Sequence, residues 1–462
     1  MTALNPGDAR SSGPSYQDLV ASDTRDVPVA LRSTSYRYQG SADVPKSRYT
    51  SAAFAALEHD YVWRRTWQMA CREEDLPKPG SHVVYDVGDE SLIVTRGSDG
   101  TIRAFHNACL HRGTQLKQPA SSGYSPKLRC PFHGWTWDLD GHLAEVPCRW
   151  DFPHVTDEEF ELPRVRTGTW GGFVFVNFDA DAPPLEEYLG VLPAHFAEWD
   201  LADRYVEVHI RKRLPANWKA SLEAFLEAYH ILETHSQTIY TAGDANAQYD
   251  VFGDHVSRFV HTIATTSPHV PEHRRPDEQR LLDMLMGRRQ SADTPTLPPG
   301  ERARDVYARH VQAVLGAQYD IDASHLSVSE TIDSIEYFLF PNACFFPGLQ
   351  IPLCYRFRPD GDDPDRCIYE ILLLRPKPRS GEVPPPAEPV DLDVDDSYTT
   401  VPGLPAGLAV VLDQDTVNLA AQTRGFKASH KPGQTLGNYQ EVRIRHLHDT
   451  VRRYIDEGAR AT

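Results

Sequence analysis

The chain has 462 residues, 40% of them apolar, which exceeds one small core and favours two or three domains. Its 65 Asp and Glu against 47 Lys and Arg give a net charge of −18, which disfavours binding to nucleic acid phosphates. The sequence has no secretory signal pattern and no apolar run long enough to cross a bilayer, so we expect a cytoplasmic protein without a membrane partner.

The predicted elements begin with an N-terminal arm over residues 1–45. This segment is rich in Ser, Gly, Pro and Asp, and we expect it to be mobile or loosely docked. Apolar residues near helical spacing predict a joining helix over 46–71. Short β-like runs then fill 72–180, with hairpin signals at Asp99-Gly100 and Asp140-Gly141. This region is predicted to be a compact all-β domain.

A second domain is predicted over 185–462, after a break at Asp181-Ala182-Pro183-Pro184. Helical and strand-like segments are mixed there, which indicates an α+β domain with an antiparallel sheet. Helices are expected around 217–235, 276–288 and 438–456, and strands at 206–213, 328–340, 350–358 and 367–375.

Four potential metal ligands lie in the predicted β domain, in the pattern C-x-H-x18-C-x2-H. They are Cys109, His111, Cys130 and His133. Thiolates suit iron–sulfur clusters, and two imidazoles can replace two thiolates on one iron of a [2Fe–2S] cluster. A structural zinc site is the alternative, although zinc patterns usually group the cysteines together and the histidines together. The seven cysteines are odd in number and scattered, which argues against a disulfide framework.

A second possible metal site lies in the run NWKASLEAFLEAYHILETH, which spans 217–235. Glu227 and His230 are three residues apart and would share a helical face. His235 follows five residues after His230, so the helix must end or bulge if both imidazoles are to reach one ion. Two histidines and one carboxylate form the facial triad of O₂-activating non-haem Fe(II) enzymes. By themselves, two histidines at this spacing are a weak signal.

Both patterns resemble those of the catalytic alpha subunits of Rieske non-haem iron oxygenases. The stretches CLHRGTQL and CPFHGWTWDLDG resemble the Rieske motif of ring-hydroxylating oxygenases almost residue for residue, with a slightly long spacer. The pattern E-x2-H-x4-H behind NWK resembles the motif of the mononuclear iron. The resemblance covers about residues 45–456.

The resemblance implies a third iron ligand in the segment DQDTVNL, where the family has an Asp three residues before an Asn. This singles out Asp415, with Asp413 as runner-up and a solvated acidic loop as the alternative for both. Glu227 occupies the place where the family usually has an Asp that bridges a Rieske histidine to an iron histidine across a subunit boundary. It is therefore the candidate catalytic residue, unless it simply faces solvent, and Glu223 is a weaker candidate.

The implied function is that of a terminal oxygenase component. Electrons from NAD(P)H would arrive through a separate reductase or ferredoxin and pass through the Rieske [2Fe–2S] cluster to a mononuclear Fe(II). There O₂ would be activated to hydroxylate, and in the main interpretation dihydroxylate, an aromatic substrate, as in aromatic hydrocarbon catabolism. The implied fold is an all-β Rieske domain plus a helix-grip (START-like) α+β catalytic domain. The implied assembly is a homotrimer or an α3β3 complex with a small β-subunit.

Three other interpretations stay open. The first is a Rieske monooxygenase or oxidative demethylase that acts on a non-aromatic or amine substrate, because some members that act on quaternary amines carry Glu at the bridging position. The second is a non-catalytic Rieske electron carrier, which would leave the triad-like run of the second domain unexplained. The third is a zinc-stabilised binding protein without a redox role.

Overall fold

The structure, a computed structural model, describes residues 5–287 and 295–461. The start of the predicted arm, the last residue of the helix predicted at 276–288, the six residues after it and the final residue therefore lie outside the described residues. The chain divides into two compact units. The smaller comprises Ala56–Tyr188 and Pro359–Asp363, and the larger comprises Met1–Ala55, Leu189–Arg358 and Pro364–Thr462.

The smaller unit is built mainly of antiparallel strands, as its alternating sequence predicts. The predicted β domain at 72–180 lies inside it. A seven-stranded sheet has the order Gln68–Arg72, Phe173–Asn177, Arg164–Trp170, Ile102–His106, Glu90–Arg96, Ser81–Val87 and Ser122–Tyr124. A three-stranded sheet consists of Leu128–Arg129, Thr136–Trp137 and Leu143–Glu145. One hydrophobic cluster of this unit includes Phe105, Trp137 and both candidate ligands Cys109 and Cys130.

The joining helix predicted over 46–71 is wrong at its C-terminal end. Helices cover Ser47–Thr50 and Ala52–Glu58, and a π-helical turn covers His59–Trp63. Residues Gln68–Arg72, in contrast, form a strand that pairs antiparallel with Phe173–Asn177. The strand is buried along its whole length, so pairing and packing outweigh the helical spacing of the preceding residues.

The larger unit combines helices with a mostly antiparallel sheet, which confirms the α+β class. Its eight strands have the order Gln248–Phe252, Val256–His261, Ser334–Leu339, Ala343–Phe345, Leu353–Pro359, Cys367–Pro376, Arg204–Leu214 and Val390–Leu392. Its longer helices are Glu278–Leu285, Ala303–Tyr319, Ala406–Ala428 and Val442–Ala461. Its shorter helices are Tyr16–Ala21, Leu192–His195, Trp218–Glu223, Ile231–Thr234 and Val328–Ile332. The short helix Leu185–Tyr188 belongs to the smaller unit. Within the described ranges, no helix has both the length and the apolar character that a membrane span requires.

Two predicted elements of this unit are wrong. The helix expected at 217–235 is interrupted, because only Trp218–Glu223 and Ile231–Thr234 are helical. The strand expected at 328–340 begins only at Ser334, because Ser327 and Glu330 form a capping box that starts the helix Val328–Ile332.

The N-terminal arm is docked on the larger unit rather than loose. Tyr16 and Leu31 are buried, and the hydroxyl of Tyr16 lies 2.7 Å from Oγ of Ser329. The buried Arg258 donates to the backbone carbonyl of Ser33 at 3.0 Å. The Ser-, Gly-, Pro- and Asp-rich composition predicted a loose arm, but composition does not show that single side chains such as Tyr16 and Leu31 are buried against distant parts of the chain.

Candidate metal centres and substrate cavity

The four residues of the first pattern lie on two loops of the same design. In each loop, the cysteine N–H donates to the carbonyl five residues later, at 2.9 Å for Cys109 and 2.8 Å for Cys130. The cysteine carbonyl accepts from a glycine N–H four residues later, at 2.8 Å for Gly113 and 3.1 Å for Gly134. Both glycines have positive φ, near 79° and 76°, which a side chain would strain. Each tight loop thus presents one cysteine and one histidine.

The loops bring two thiols and two imidazoles together, a donor set that fits a [2Fe–2S] cluster. Cys109 and Cys130 are buried, and the rings of His111 and His133 lie 4.7 Å apart. Nδ1 of His111 is covered and has no hydrogen-bond partner among the described residues. A bond to iron would give this nitrogen the partner that it lacks. Burial raises the pKa of the Cys109 thiol, so its thiolate needs a compensating positive charge such as iron.

The three residues of the second pattern also converge. His230, His235 and Asp415 each offer one ligand atom, and these atoms lie within 4.8 Å of one another. Nε2 of His235 is 2.7 Å from Oδ1 of Asp415, and Nε2 of His230 is 3.4 Å from the same oxygen. The histidines flank the short helix Ile231–Thr234, and His235 has already left the helical conformation, so the end of this helix allows both rings to reach one point. Asp415 comes from the helix Ala406–Ala428.

Each imidazole is oriented through its other nitrogen. Nδ1 of His230 donates to Oε1 of Glu227 at 2.8 Å, and the backbone N–H of His230 donates to Oε2 of the same carboxylate at 3.0 Å. Nδ1 of His235 donates to Oε1 of Gln414 at 2.9 Å. Nε2 of both rings is therefore left beside Asp415, as ligation of one metal requires.

The charge around His230 suits a cation. Burial lowers the pKa of this imidazole, but the carboxylates of Glu227 and Asp415 outweigh burial and raise the pKa to about 10. In the metal-free protein the ring therefore carries a second proton, on Nε2. A metal ion would replace that proton.

The two weaker candidates do not join this cluster. Asp413 accepts hydrogen bonds from the hydroxyl of Ser397 and the N–H of Tyr398, and so caps a turn. Glu223 is buried, accepts from the hydroxyl of Tyr49 and lies 2.7 Å from Nε2 of His448. Both carboxylates thus have local structural partners.

A cavity of about 810 Å³ adjoins the cluster, and His230, His235 and Asp415 are part of its wall. This volume lies in the range of small-molecule sites. The wall includes a group of aromatic rings, in which the centroid of Tyr355 lies 5.3 Å from that of Phe225 and 5.0 Å from that of Phe346. The arrangement can hold an apolar organic molecule next to a metal.

Comparison with known proteins agrees with this architecture. Residues 66–156 match the Rieske [2Fe-2S] domain, and residues 196–457 match the ring hydroxylating alpha subunit (catalytic domain). The glycine betaine monooxygenase oxygenase subunit of Chromohalobacter salexigens is 30% identical over 234 residues, which are 48% of this chain and 51% of the relative. The chlorobenzene dioxygenase subunit alpha of Cupriavidus sp. (strain PS12) is 32% identical over 192 residues, which are 40% of this chain and 42% of the relative.

The chain spans about half the length, or less, of these curated relatives. Among solved structures, the quaternary ammonium Rieske monooxygenase CntA in complex with L-carnitine has a TM-score of 0.63 at 17% identity. The superposition covers 90% of this chain and 96% of that chain, which establishes the similarity of fold. Since the catalytic-domain match alone includes more than half of the residues and a Rieske domain precedes it, the chain belongs to the family of ring-hydroxylating alpha subunits.

Proposed function

We propose that this chain is the terminal component of a multicomponent oxygenase that hydroxylates an organic substrate. The observation that carries the proposal is the convergence of His230, His235 and Asp415 on the wall of a cavity of substrate size. When bound, the Rieske cluster supplies electrons, and the mononuclear Fe(II) binds and reduces O₂.

The residues of the two clusters have separate roles in this proposal. Cys109 and Cys130 would hold one iron of the [2Fe–2S] cluster, and His111 and His133 the other. His230, His235 and Asp415 would hold the mononuclear iron, with positions left for O₂ and water.

Glu227 is proposed to position His230 and to connect the two metal centres. Its carboxylate accepts a hydrogen bond from Nδ1 of His230, and its side chain is only 10% exposed. The resemblance implies that the same carboxylate reaches a Rieske histidine of a neighbouring subunit. Because Glu has one methylene more than the usual Asp, it can span a longer distance between the two imidazoles.

The electron donor is proposed to be a separate reductase or ferredoxin. The sequence has no Gly-rich nucleotide loop after a strand and no ferredoxin-type cysteine cluster. Transfer between subunits would require an oligomer, either a homotrimer or an α3β3 complex with a small β-subunit. The cytoplasmic location stays a prediction.

The reaction has two candidates. Dihydroxylation of an aromatic substrate is compatible with the aromatic wall of the cavity, and one relative is named a chlorobenzene dioxygenase. Monooxygenation of an amine is favoured by Glu at the bridging position and by a relative named a glycine betaine monooxygenase. Aromatic rings also bind quaternary ammonium groups, so the wall fits either substrate. Aromatic hydrocarbon catabolism therefore stays a prediction.

Reconstitution with a generic reductase, NADH and ¹⁸O₂ tests the proposal. Aromatic acids, hydrocarbons, steroids and amines would be offered, and products analysed by mass spectrometry. We expect an O₂-dependent product, with two labelled oxygen atoms for dioxygenation and one for monooxygenation. Reduction of the cluster without any product would instead support an electron carrier, and zinc in place of iron would support a binding protein.

A further inference from the structure

One arginine on the cavity wall has unused hydrogen-bond donors. Arg375 lies on the strand Cys367–Pro376, and its side chain is only 8% exposed. Its Nε donates to Oε2 of Glu207 at 2.8 Å. Within the described ranges, Nη1 and Nη2 donate to no protein partner, and neither nitrogen is fully covered by protein atoms. A buried guanidinium with two open donor nitrogens indicates a binding group.

A local irregularity of the sheet sets the position of this guanidinium. The pairing of Arg204–Leu214 with Cys367–Pro376 shifts in register between Val206 and Val208, which makes Glu207 the extra residue of a β-bulge. Bulges re-aim side chains and are frequent beside active sites. Here the carboxylate of Glu207 holds the Nε edge of Arg375.

Tyr319 fixes a second side of the same group. Cζ of Arg375 lies 4.6 Å from the centroid of the Tyr319 ring, and the Tyr319 hydroxyl donates to Oε1 of Glu207 at 3.2 Å. With one edge and one face occupied, the Nη1/Nη2 end remains. That end is a planar fork that matches the two oxygens of a carboxylate.

Apart from Asp415, which belongs to the proposed metal site, the carboxylates of the cavity wall are already paired. Glu336 accepts from the buried Arg443 at 2.7 Å, Glu227 holds His230, and Glu207 holds Arg375 itself. The charged group that still has open hydrogen-bonding positions is therefore the Arg375 guanidinium. It is a hydrogen-bond donor, which suits an anion better than a cation.

We propose that the substrate carries a carboxylate that binds Nη1 and Nη2 of Arg375, while its apolar part lies along the aromatic wall. This inference rests on the proposed function, because it specifies the substrate class of the same cavity. Gln318, next to Tyr319, also lines the cavity and is exposed, so this end of the cavity is open to solvent. A carboxylate held here would orient the remainder of the molecule into the cavity.

Calorimetric binding to the metal-loaded protein without O₂ tests this assignment. The probes are matched pairs of an acid and its methyl ester: benzoate, phenylacetate, 4-phenylbutyrate and glycine betaine. We expect at least one acid to bind about tenfold more tightly than its ester, as a charge-assisted bidentate contact allows. In Arg375→Gln this preference should fall to about one. Glu207→Gln should instead tighten binding of the acid, because it removes a competing anion.

A matched control is Arg379→Gln, whose exposed side chain pairs with Asp322 beyond the end of the same strand, and which should keep the wild-type preference. If Arg375→Gln does not fold, Arg375→Lys keeps the charge but loses the fork, and its preference should fall between the two. The proposal is overturned if no acid binds more tightly than its ester, or if the Arg375 variants keep the preference. Because binding is measured without turnover, an inactive protein that prefers acids contradicts only the oxygenase proposal.

Discussion

Oε1 of Gln414 lies 2.9 Å from Nδ1 of His235 and accepts a hydrogen bond from it. Because this bond fixes the orientation of the ring, Nε2 is the nitrogen that faces Asp415 at 2.7 Å and that would bind a metal. Gln414 is held in turn by Gln237, whose Nε2 donates to the same oxygen at 2.8 Å. Adjacent residues of one helix thus have complementary roles, since Gln414 orients the histidine and Asp415 completes the donor set.

Replacement of Gln414 by Leu should weaken iron binding without removing any proposed ligand. Loss of the acceptor frees the ring to rotate or to change tautomer, and such contacts are typically worth about 10–100-fold in metal affinity. Competition with a chelator under anaerobic conditions measures the dissociation constant of Fe(II). Gln237→Leu is the control and should have a smaller effect. Equal affinity of Gln414→Leu and wild type would show that Asp415 alone orients the ring.

The two proposed metal centres should be separable by single substitutions. His230→Ala should abolish product formation but keep the visible spectrum of the cluster, because His230 and the Rieske loops lie in different compact units. Cys109→Ser should remove the cluster spectrum and the acid-labile sulfide. Loss of the cluster spectrum in His230→Ala, or unchanged iron and sulfide in Cys109→Ser, would mean that the two sites have been confused.

The strands of the β unit and several strands of the larger unit could be predicted because each depends on local spacing. The strands at 206–213, 350–358 and 367–375 correspond to Arg204–Leu214, Leu353–Pro359 and Cys367–Pro376. The five-residue interval between His230 and His235 required the helix to end or bulge, and the helix ends at Thr234, just before His235. Local sequence was sufficient wherever neighbouring residues determine the geometry.

Other features depend on distant partners and left no local signal. The helix Ala406–Ala428 was not predicted, because its apolar residues do not form a clear stripe. Gln414 has no motif of its own, and it was missed because its partner His235 is 179 residues away. The bulge at Glu207 depends on pairing with a strand more than 150 residues downstream, so sequence spacing alone could not place Glu207 beside Arg375.

Glu227→Gln should slow electron transfer to the iron while leaving the iron bound. The amide can still accept from Nδ1 of His230, but it no longer stabilises positive charge on the ring, and a reduction of about 10–100-fold is expected for such a contact. Stopped-flow oxidation of the reduced cluster measures the rate, and iron content is the control. Glu233→Gln, a nearby surface substitution, should have no effect. A normal rate would exclude Glu227 from the path between the centres.

The affinity of the protein for Fe(II) should increase as the pH rises from 6 to 8.5. The pKa of His230 is raised to about 10 in the metal-free protein, so throughout this range a proton must leave when the metal binds. The dissociation constant should therefore fall about tenfold for each pH unit. In Glu227→Gln the pKa of His230 should be lower and the slope smaller at high pH. Anaerobic titrations at several pH values measure the slope, and a flat dependence would show that His230 binds no proton.

Replacement of the buried Arg258 should destabilise the larger unit and release the N-terminal arm. Arg258 bonds to Oδ2 of Asp250 at 2.6 Å and to the backbone of the arm at Ser33. Arg258→Met leaves the buried carboxylate of Asp250 unpaired, which costs about 3–5 kcal/mol in the free energy of unfolding. Arg452→Met, which removes an exposed ion pair with Asp449, should cost about 0–1 kcal/mol.

Urea denaturation measures this difference, and limited proteolysis reports release of the arm. The double variant Arg258→Met with Asp250→Asn should recover part of the lost stability, because it removes the unpaired charge. The arm should nevertheless stay sensitive to protease in the double variant, since the contact with the Ser33 carbonyl is still missing. Equal stability of Arg258→Met and Arg452→Met would show that apolar contacts of Tyr16 and Leu31, rather than the buried arginine, hold the arm in place.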